Sequence, residues 1–489
     1  MRTIRFCCIA ILCALVSAST ARAQQQQSQD QDQNQGPAAR PIPAYHSPFA
    51  WAADNGDADP DPQKLEPDTR SLAGAQDFSL GIPMAGHSYW QPHMDISSTG
   101  DSNPLKAGNQ TGWTTFTSFA GGIDVRRTAP GSDLTLSYLG AGTVSNDGDG
   151  GNSITQELEL NEKLLFRRTV ISFIDKLDYL PEAYFGYGGG TALSLPGGGS
   201  LGLQGGLGPG DTILTTRGQR ISNEFLTELE ENTTPRSSFT FVGGYSVLHY
   251  FDNNFLDYGD AVFQAGYNYK MSREDTFAAL YRFNAYRYSN VNQSINDHIV
   301  QVSYGRRITG ELAFQVAAGP EIALLQLPLS GASGSTSTPA NSTQVGWSLN
   351  TSLNYQLRRT ALNLTYSHGL SGGSGILAGS TADTVSGYVT RQVTRKLGAQ
   401  WNLGYSRNRG LAVAGVTSPA AQGSQTFDYW FTGLNLNHPL GRALKVFLSY
   451  QLQYQNSNAA FCVGATCQSS FVRHLVSAGF SWHDHPIAF

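Results

Sequence analysis

The chain is short of charge, of cysteine and of long apolar runs. Only 14% of its 489 residues are Asp, Glu, Lys or Arg, against roughly 25% in an ordinary soluble protein. Of five cysteines, Cys7, Cys8 and Cys13 fall in the first 23 residues, which leaves Cys462 and Cys467 in "FCVGATCQSSF". Two cysteines cannot complete a zinc site alone, and their spacing is too wide for a redox Cys-x-x-Cys pair. Beyond the N-terminus no run of about 18 apolar residues occurs, which excludes a transmembrane helix there. The net charge is −5, a balance that argues against a nucleic-acid partner.

The N-terminus supplies a compartment. Met1 to Arg5 is basic, Phe6 to Ala18 is apolar, and Ala21-Arg22-Ala23 is a small-x-small cleavage site. This pattern predicts a signal peptide over residues 1–23 and a mature chain from Gln24. No lipobox precedes a cysteine, so a lipoprotein is not expected. Losing Arg2, Arg5 and Arg22 leaves 29 basic and 37 acidic residues, a net of −8. In an exported chain the close pair Cys462 and Cys467 is expected to form a disulfide. Residues 24–87 open with "QQQQSQDQDQNQ" and continue rich in Pro and Asp. That composition cannot bury a core and predicts a disordered extension. Within it Asp57, Asp59 and Asp61 imitate a calcium loop. Pro62 holds the position that needs glycine and Asp68 the position that needs Glu, so a solvated acidic linker is the better reading.

From Ser88 onward the chain alternates with period two. In "VGWSLNTSLNYQLRR", Val345, Trp347, Leu349, Thr351, Leu353, Tyr355 and Leu357 share one face; Ser348, Asn350, Ser352 and Asn354 share the other. Leu397, Ala399, Trp401, Leu403 and Tyr405 against Gln400 and Asn402 repeat the pattern, as do Val446, Leu448, Tyr450, Leu452 and Tyr454. These runs are about twice the length of a globular strand. Length, a polar face of Gly, Asn, Gln and Ser, and aromatics near the ends of the apolar face fit bilayer-crossing strands better than a soluble sandwich.

Connections alternate between two kinds. Eight short, often basic turns are expected near Arg126-Arg127, Arg167-Arg168, Pro235-Arg236, Ser272–Asp275, Arg307–Gly310, Arg358-Arg359, Arg395-Lys396 and Pro439–Arg442. Nine longer Gly/Ser/Asn-rich loops separate them, among them Gly186–Gly210, Ser371–Thr381 and Asn456–Ser470. The count predicts an all-β, up-and-down transmembrane barrel of eighteen strands over residues 88–489; sixteen is the other count the pattern allows. An even number puts both termini in the periplasm. Pro92 and Pro320 inside strands strain the assignment, and "TVISFIDKLDYL" (Thr169 to Leu180) alternates badly.

Parity then nominates pore-lining residues: Glu157, Glu159 and Lys163; Arg220, Glu224 and Glu228; Ser348, Asn350 and Asn354; Gln400 and Asn402. Lumen charge in water is the plain reading of the carboxylates, and no other feature supports a glycosidase pair. No catalytic, cofactor or metal site is predicted. His483 and His485 give only two metal ligands. Ser367-His368 has no carboxylate near it in sequence, and parity turns His368 outward. The Gly186–Gly210 loop lacks the GK[ST] ending of a phosphate loop and is expected at the barrel mouth. No plug domain is evident. The closing "FSWHDHPIAF" resembles the aromatic-ended insertion signal read by the barrel assembly machinery, with "HDHP" interrupting it. The strand is expected to end near Trp482, followed by a short periplasmic tail.

"DSNP" (Asp101 to Pro104), "YLPEAYFGYGGG" (Tyr179 to Gly190) and the "YGRR" and "LRRT" turns resemble a group of uncharacterised bacterial outer-membrane β-barrels, porin-like, with relatives associated with exopolysaccharide and exosortase systems. The resemblance spans most of residues 88–489. It implies a barrel in outer-membrane lipid and names neither substrate nor active site. The expected function is a passive channel for small polar solutes. The rivals are a structural or surface-interaction barrel tied to polysaccharide export and an outer-membrane hydrolase.

Overall fold

Period-two segments fold here into one continuous antiparallel sheet. The structure, a computed structural model, describes residues 88–103, 112–146, 152–180, 213, 219–251, 255–289, 293–327, 340–411, 425–441, 443–463 and 466–489. The expected signal peptide, the extension before residue 88 and the Gly186–Gly210 loop lie outside them.

The strands are β1 (Tyr89–Asp101), β2 (Thr114–Ala129), β3 (Ser132–Ser145), β4 (Ser153–Leu165), β5 (Thr169–Leu180) and β6 (Arg220–Thr234). Then follow β7 (Ser237–Tyr250), β8 (Tyr258–Lys270), β9 (Asp275–Tyr288), β10 (Gln293–Arg307), β11 (Leu312–Leu327) and β12 (Ala340–Leu357). The last are β13 (Thr360–Ser371), β14 (Ser380–Gln392), β15 (Gly398–Gly410), β16 (Thr426–Pro439), β17 (Leu444–Val463), β18 (Thr466–His483) and the two-residue β19 (Ile487–Ala488). Each of the first eighteen pairs with its chain neighbours, and β1 pairs with β18 from His93↔His483 to Asp101↔Leu475. The barrel is therefore closed, with eighteen strands, and no edge is left to be satisfied by lipid.

Alternation sorts the side chains. Val345, Trp347, Val300, Val302, Leu434, Leu448 and Val476 stand exposed on the outside. Aromatics edge this band at both ends: Tyr267, Tyr269, Phe277, Trp401 and Phe480 toward the short turns, and Tyr245, Trp347, Trp430 and Tyr454 toward the long connections. An apolar belt between two aromatic girdles is the surface of a transmembrane barrel. At the closing seam the guanidinium of Arg473 grips Asp101, with Nε at 2.9 Å and Nη2 at 2.6 Å from Oδ2; both residues face inward and are buried. This tie joins the first strand to the last.

Several expectations need correcting. Arg126-Arg127 is not a turn: both lie in β2, and Arg126 turns inward to Asp133 at 3.2 Å. At three of the short turns a hydroxyl sets the geometry. Ser272, Thr309 and Thr394 each accept two backbone N–H groups from residues two and three further on, which closes the chain locally. The expected Asn456–Ser470 loop is mostly strand, because β17 and β18 run on to Val463 and Thr466 past an irregularity between Asn456 and Phe461. The C-terminus is not a free tail. After His483 the chain bulges and pairs again with β1, at Trp90↔Ile487 and Tyr89↔Ala488.

The two prolines are accommodated by breaks in pairing. Pro92 pairs with β2, while on its other side β18 has just ended and only its carbonyl is used, by the Asp484 N–H at 3.2 Å. Pro320 points outward in β11, and there the β10–β11 ladder is interrupted between Ile299↔Glu321 and Val302↔Ala318. Beside it, a Cβ on Gly319 would collide with the Val300 carbonyl oxygen.

Candidate functional site: the inward face and the roof over it

The inward face carries the nominated side chains. On β4, Glu157, Glu159 and Lys163 share the inward parity; on β6, Arg220, Glu224 and Glu228 are buried. The register joins them through β5, as Glu159↔Lys176↔Glu224, Glu157↔Asp178 and Lys163↔Ser172↔Glu228. Lys176 and Asp178, 3.2 Å apart, were not among the candidates. The sequence hid them because β5 breaks its own pattern. Ile174 faces inward and packs with Leu226, Val242 and Val262. Asp175 faces outward and accepts from Asn223 Nδ2 at 2.7 Å.

Ser348, Asn350 and Asn354 of β12 and Gln400 and Asn402 of β15 are also buried and inward. They belong to a wall of neutral amides. The adjoining wall is charged: Asp260 of β8, Arg282 of β9, Asp297 of β10 and Glu321 of β11 all face inward and are buried. Asn284 Nδ2 donates to Asp297 at 3.1 Å, and Arg282 Nε donates to Gln264 at 2.8 Å. These four charged groups lie outside the residues nominated by parity, although they alternate with outward Phe283, His298 and Ile322.

The larger surprise is the connection 372–379 between β13 and β14, expected as an external loop. It folds inward over the charged wall. Leu377 and Ala378 are fully buried, and Tyr250, Phe255, Tyr258, Tyr286, Tyr288, Ile295, Leu325, Ala378 and Leu411 form one apolar cluster. Leu377 also joins Ile213 and Phe427. Polar ties fix the segment. The Leu256 N–H donates to the Gly375 carbonyl at 2.7 Å, the Tyr288 hydroxyl to the Gly372 carbonyl at 3.1 Å, and Gln293 Nε2 to the Ala378 carbonyl at 2.8 Å. Gly373, Gly375 and Gly379 all take positive φ, at 77°, 73° and 87°. That conformation lets the chain double back within a few residues.

The remaining sequence motifs separate in space. His483 is buried inward, its Nε2 2.6 Å from the Ser481 hydroxyl, whereas His485 lies exposed beyond β18. Among the described residues no three His, Cys, Asp or Glu side chains converge as metal ligands. His368 does have a carboxylate, Asp383 at 2.6 Å, and stacks on Trp347. Ser367 occupies the opposite face of β13, so the Ser-His pair is split by the sheet. Cys462 and Cys467 are directly opposed in the backbone register; their side chains lie outside the described set.

No protein-family model matches the sequence, and no curated protein matches it. Among solved structures, OccAB3 of Acinetobacter baumannii is similar at 10% identity, covering 81% of this chain and 99% of its own, with a TM-score of 0.38. The outer membrane protein OpdK of Pseudomonas aeruginosa gives the same identity, coverage and TM-score. OccK2 of Pseudomonas aeruginosa, in complex with glucuronate, is 12% identical over 82% of this chain and 100% of its own, with a TM-score of 0.38.

Proposed function

We propose that the chain is an outer-membrane channel of the porin type, through which small polar solutes diffuse passively. The observation that carries this reading is a closed barrel of eighteen strands, apolar outside, whose inward positions carry many Asn, Gln, Ser and charged side chains. Barrels of 16–18 strands are wide enough for an aqueous passage. Ser88 and Phe489 lie at the short-turn end, which in this reading is periplasmic; the leader 1–23 would direct export, and the resumed pairing of the C-terminal residues with β1 suits a segment handled by the barrel assembly machinery. The inward residues Glu157, Glu159, Lys163, Arg220, Glu224, Glu228, Ser348, Asn350, Asn354, Gln400 and Asn402 line the passage. Among the described residues a hydrolase reading lacks a nucleophile beside His368.

Conductance of the purified protein in a planar bilayer tests the channel. Stepwise single-channel currents are expected. A silent bilayer overturns the reading and leaves the surface-interaction barrel that the resemblance to exopolysaccharide-associated barrels suggests.

The Cys462–Cys467 disulfide is part of this proposal. Directly opposed residues of an antiparallel pair have Cα atoms about 4.5–5.5 Å apart, within the range a disulfide spans. So short a closed loop restrains the unfolded chain little, and the bridge should shape the hairpin end more than stabilise the barrel. Mass spectrometry of protein purified without reductant should find both thiols blocked. Two free thiols would remove the bridge from the proposal.

A further inference from the structure

The charged wall holds buried polar atoms that have no partner. Asp260, Arg282, Asp297 and Gln301 are each at most 4% exposed, yet Asp260 Oδ1, Arg282 Nη2, Asp297 Oδ1 and Gln301 Oε1 make no hydrogen bond. Native interiors rarely leave such atoms unsatisfied, because each has lost its water and gained nothing. The rest of Arg282, Asp297 and Gln301 is fixed. Arg282 Nε donates to Gln264 at 2.8 Å, Asn284 Nδ2 holds Asp297 at 3.1 Å, and Gln301 Nε2 donates to the Ser348 hydroxyl at 3.0 Å. The unpartnered atoms therefore stand oriented in advance, which lowers the ordering cost of binding.

Their arrangement selects a ligand class. Arg282 on β9 is flanked by Asp260 on β8 and by Asp297 and Glu321 on β10 and β11, so the positive group lies among the negative ones. An organic cation drawn to the carboxylates meets Arg282. An anion drawn to Arg282 meets the carboxylates. A zwitterion needs its two charges matched at separate places, and here the charges are interleaved. A neutral hydroxyl group suits the pattern, since each one both donates and accepts. Several hydroxyls on one ring can donate to Asp260 Oδ1 and Asp297 Oδ1 and take a bond from Arg282 Nη2, while Gln301 lies two residues further along the register from Arg282. Between the polar groups, Val262, Leu280 and Ile299 face inward, giving apolar ground for the C–H face of a ring. The end of β13, from which the roof springs, is tied to this wall: the Leu370 N–H donates to Glu321 Oε1 at 3.0 Å.

We propose that this wall is a binding station for a neutral, hydroxyl-rich ring, a sugar or cyclic polyol unit. The inference rests on the channel reading only for how the solute arrives.

Block of the ion current by added solute in a planar bilayer tests it, with glucose, lysine and glutamate compared at equal concentration. Glucose should reduce the wild-type current saturably, and more than either charged solute. Asp260→Asn and Asp297→Asn should each weaken the glucose block about tenfold, the value of one hydrogen bond to a charged group. If a variant fails to conduct, the comparison of the three solutes on wild-type protein decides alone. Equal or stronger block by lysine or glutamate overturns the ligand class, and a conducting pore indifferent to glucose overturns the station. Should the wild-type chain not conduct at all, the channel reading fails separately. Calorimetry of glucose against the full chain in detergent then decides: saturable heat weakened by Asp297→Asn keeps the station, and no heat removes it.

Discussion

At the scale of single residues, the barrel depends on a few positions where no other side chain would serve. Gly319 is one. It lies next to Pro320, where β10 and β11 lose their pairing, and the Val300 backbone oxygen occupies the space a Cβ would need. The obstacle is main chain of a neighbouring strand, so it cannot swing aside as a side chain would. Gly319→Ala should cost about 1–3 kcal/mol, the usual range for overpacking. Urea unfolding of the variant in lipid, followed by heat-dependent gel mobility, would measure it; a stability equal to wild type would mean the strands part easily there. Period-two alternation says nothing of this position, since glycine is unremarkable on either face of a barrel strand. The Ser272, Thr309 and Thr394 turns show a related blind spot. Their neighbouring charges drew notice in the sequence, while the closing contacts come from the hydroxyls.

At the scale of elements, what was legible followed from how strictly each strand alternates. In β12 every outward position is apolar or Thr from Val345 to Leu357, and the inward Ser348, Asn350 and Asn354 are buried as that pattern requires. An Arg in place of Leu353 should therefore cost about 2–4 kcal/mol in a bilayer, and far more than an Arg at Asn354. Folding yield of the two variants into vesicles compares them directly, and equal yields would contradict the facing. Strand β5 was obscure because its inward Ile174 joins an apolar patch inside the barrel while Asp175 turns out. The 372–379 segment departs from its sequence expectation for a compositional reason. Its glycines and serines look like solvated loop, and only Ile376, Leu377 and Ala378 hint at burial. Those three pack the roof against the wall, alongside the hydrogen bonds to its carbonyls. Leu377→Asp should free the segment, raising single-channel conductance and adding current noise. Unchanged conductance would show that the passage does not run beneath the roof.

At the scale of the whole molecule, the inward charge is unequal. On β4–β6 the carboxylates Glu157, Glu159, Asp178, Glu224 and Glu228 outnumber the cations Lys163, Lys176 and Arg220. An acidic excess along a water-filled passage raises the cation concentration over about a Debye length, roughly 10 Å at 0.1 M salt. The acidic balance of the chain as a whole points the same way. A weakly cation-selective pore is expected, with selectivity that falls as salt rises. Lys176 refines the expectation. It stands in register between Glu159 and Glu224 and contacts Asp178 at 3.2 Å, so it masks part of the acidic cluster. Changing Glu224 and Glu228 to Gln should move the reversal potential in a salt gradient toward zero. Lys176→Gln should move it the other way, by exposing the carboxylates around it. Opposite displacements from substitutions on adjacent strands cannot arise from a general loss of fold, which would act in one direction. A conducting pore whose reversal potential ignores all three changes would place the route of the ions away from β4–β6, against the amide wall of β12 and β15.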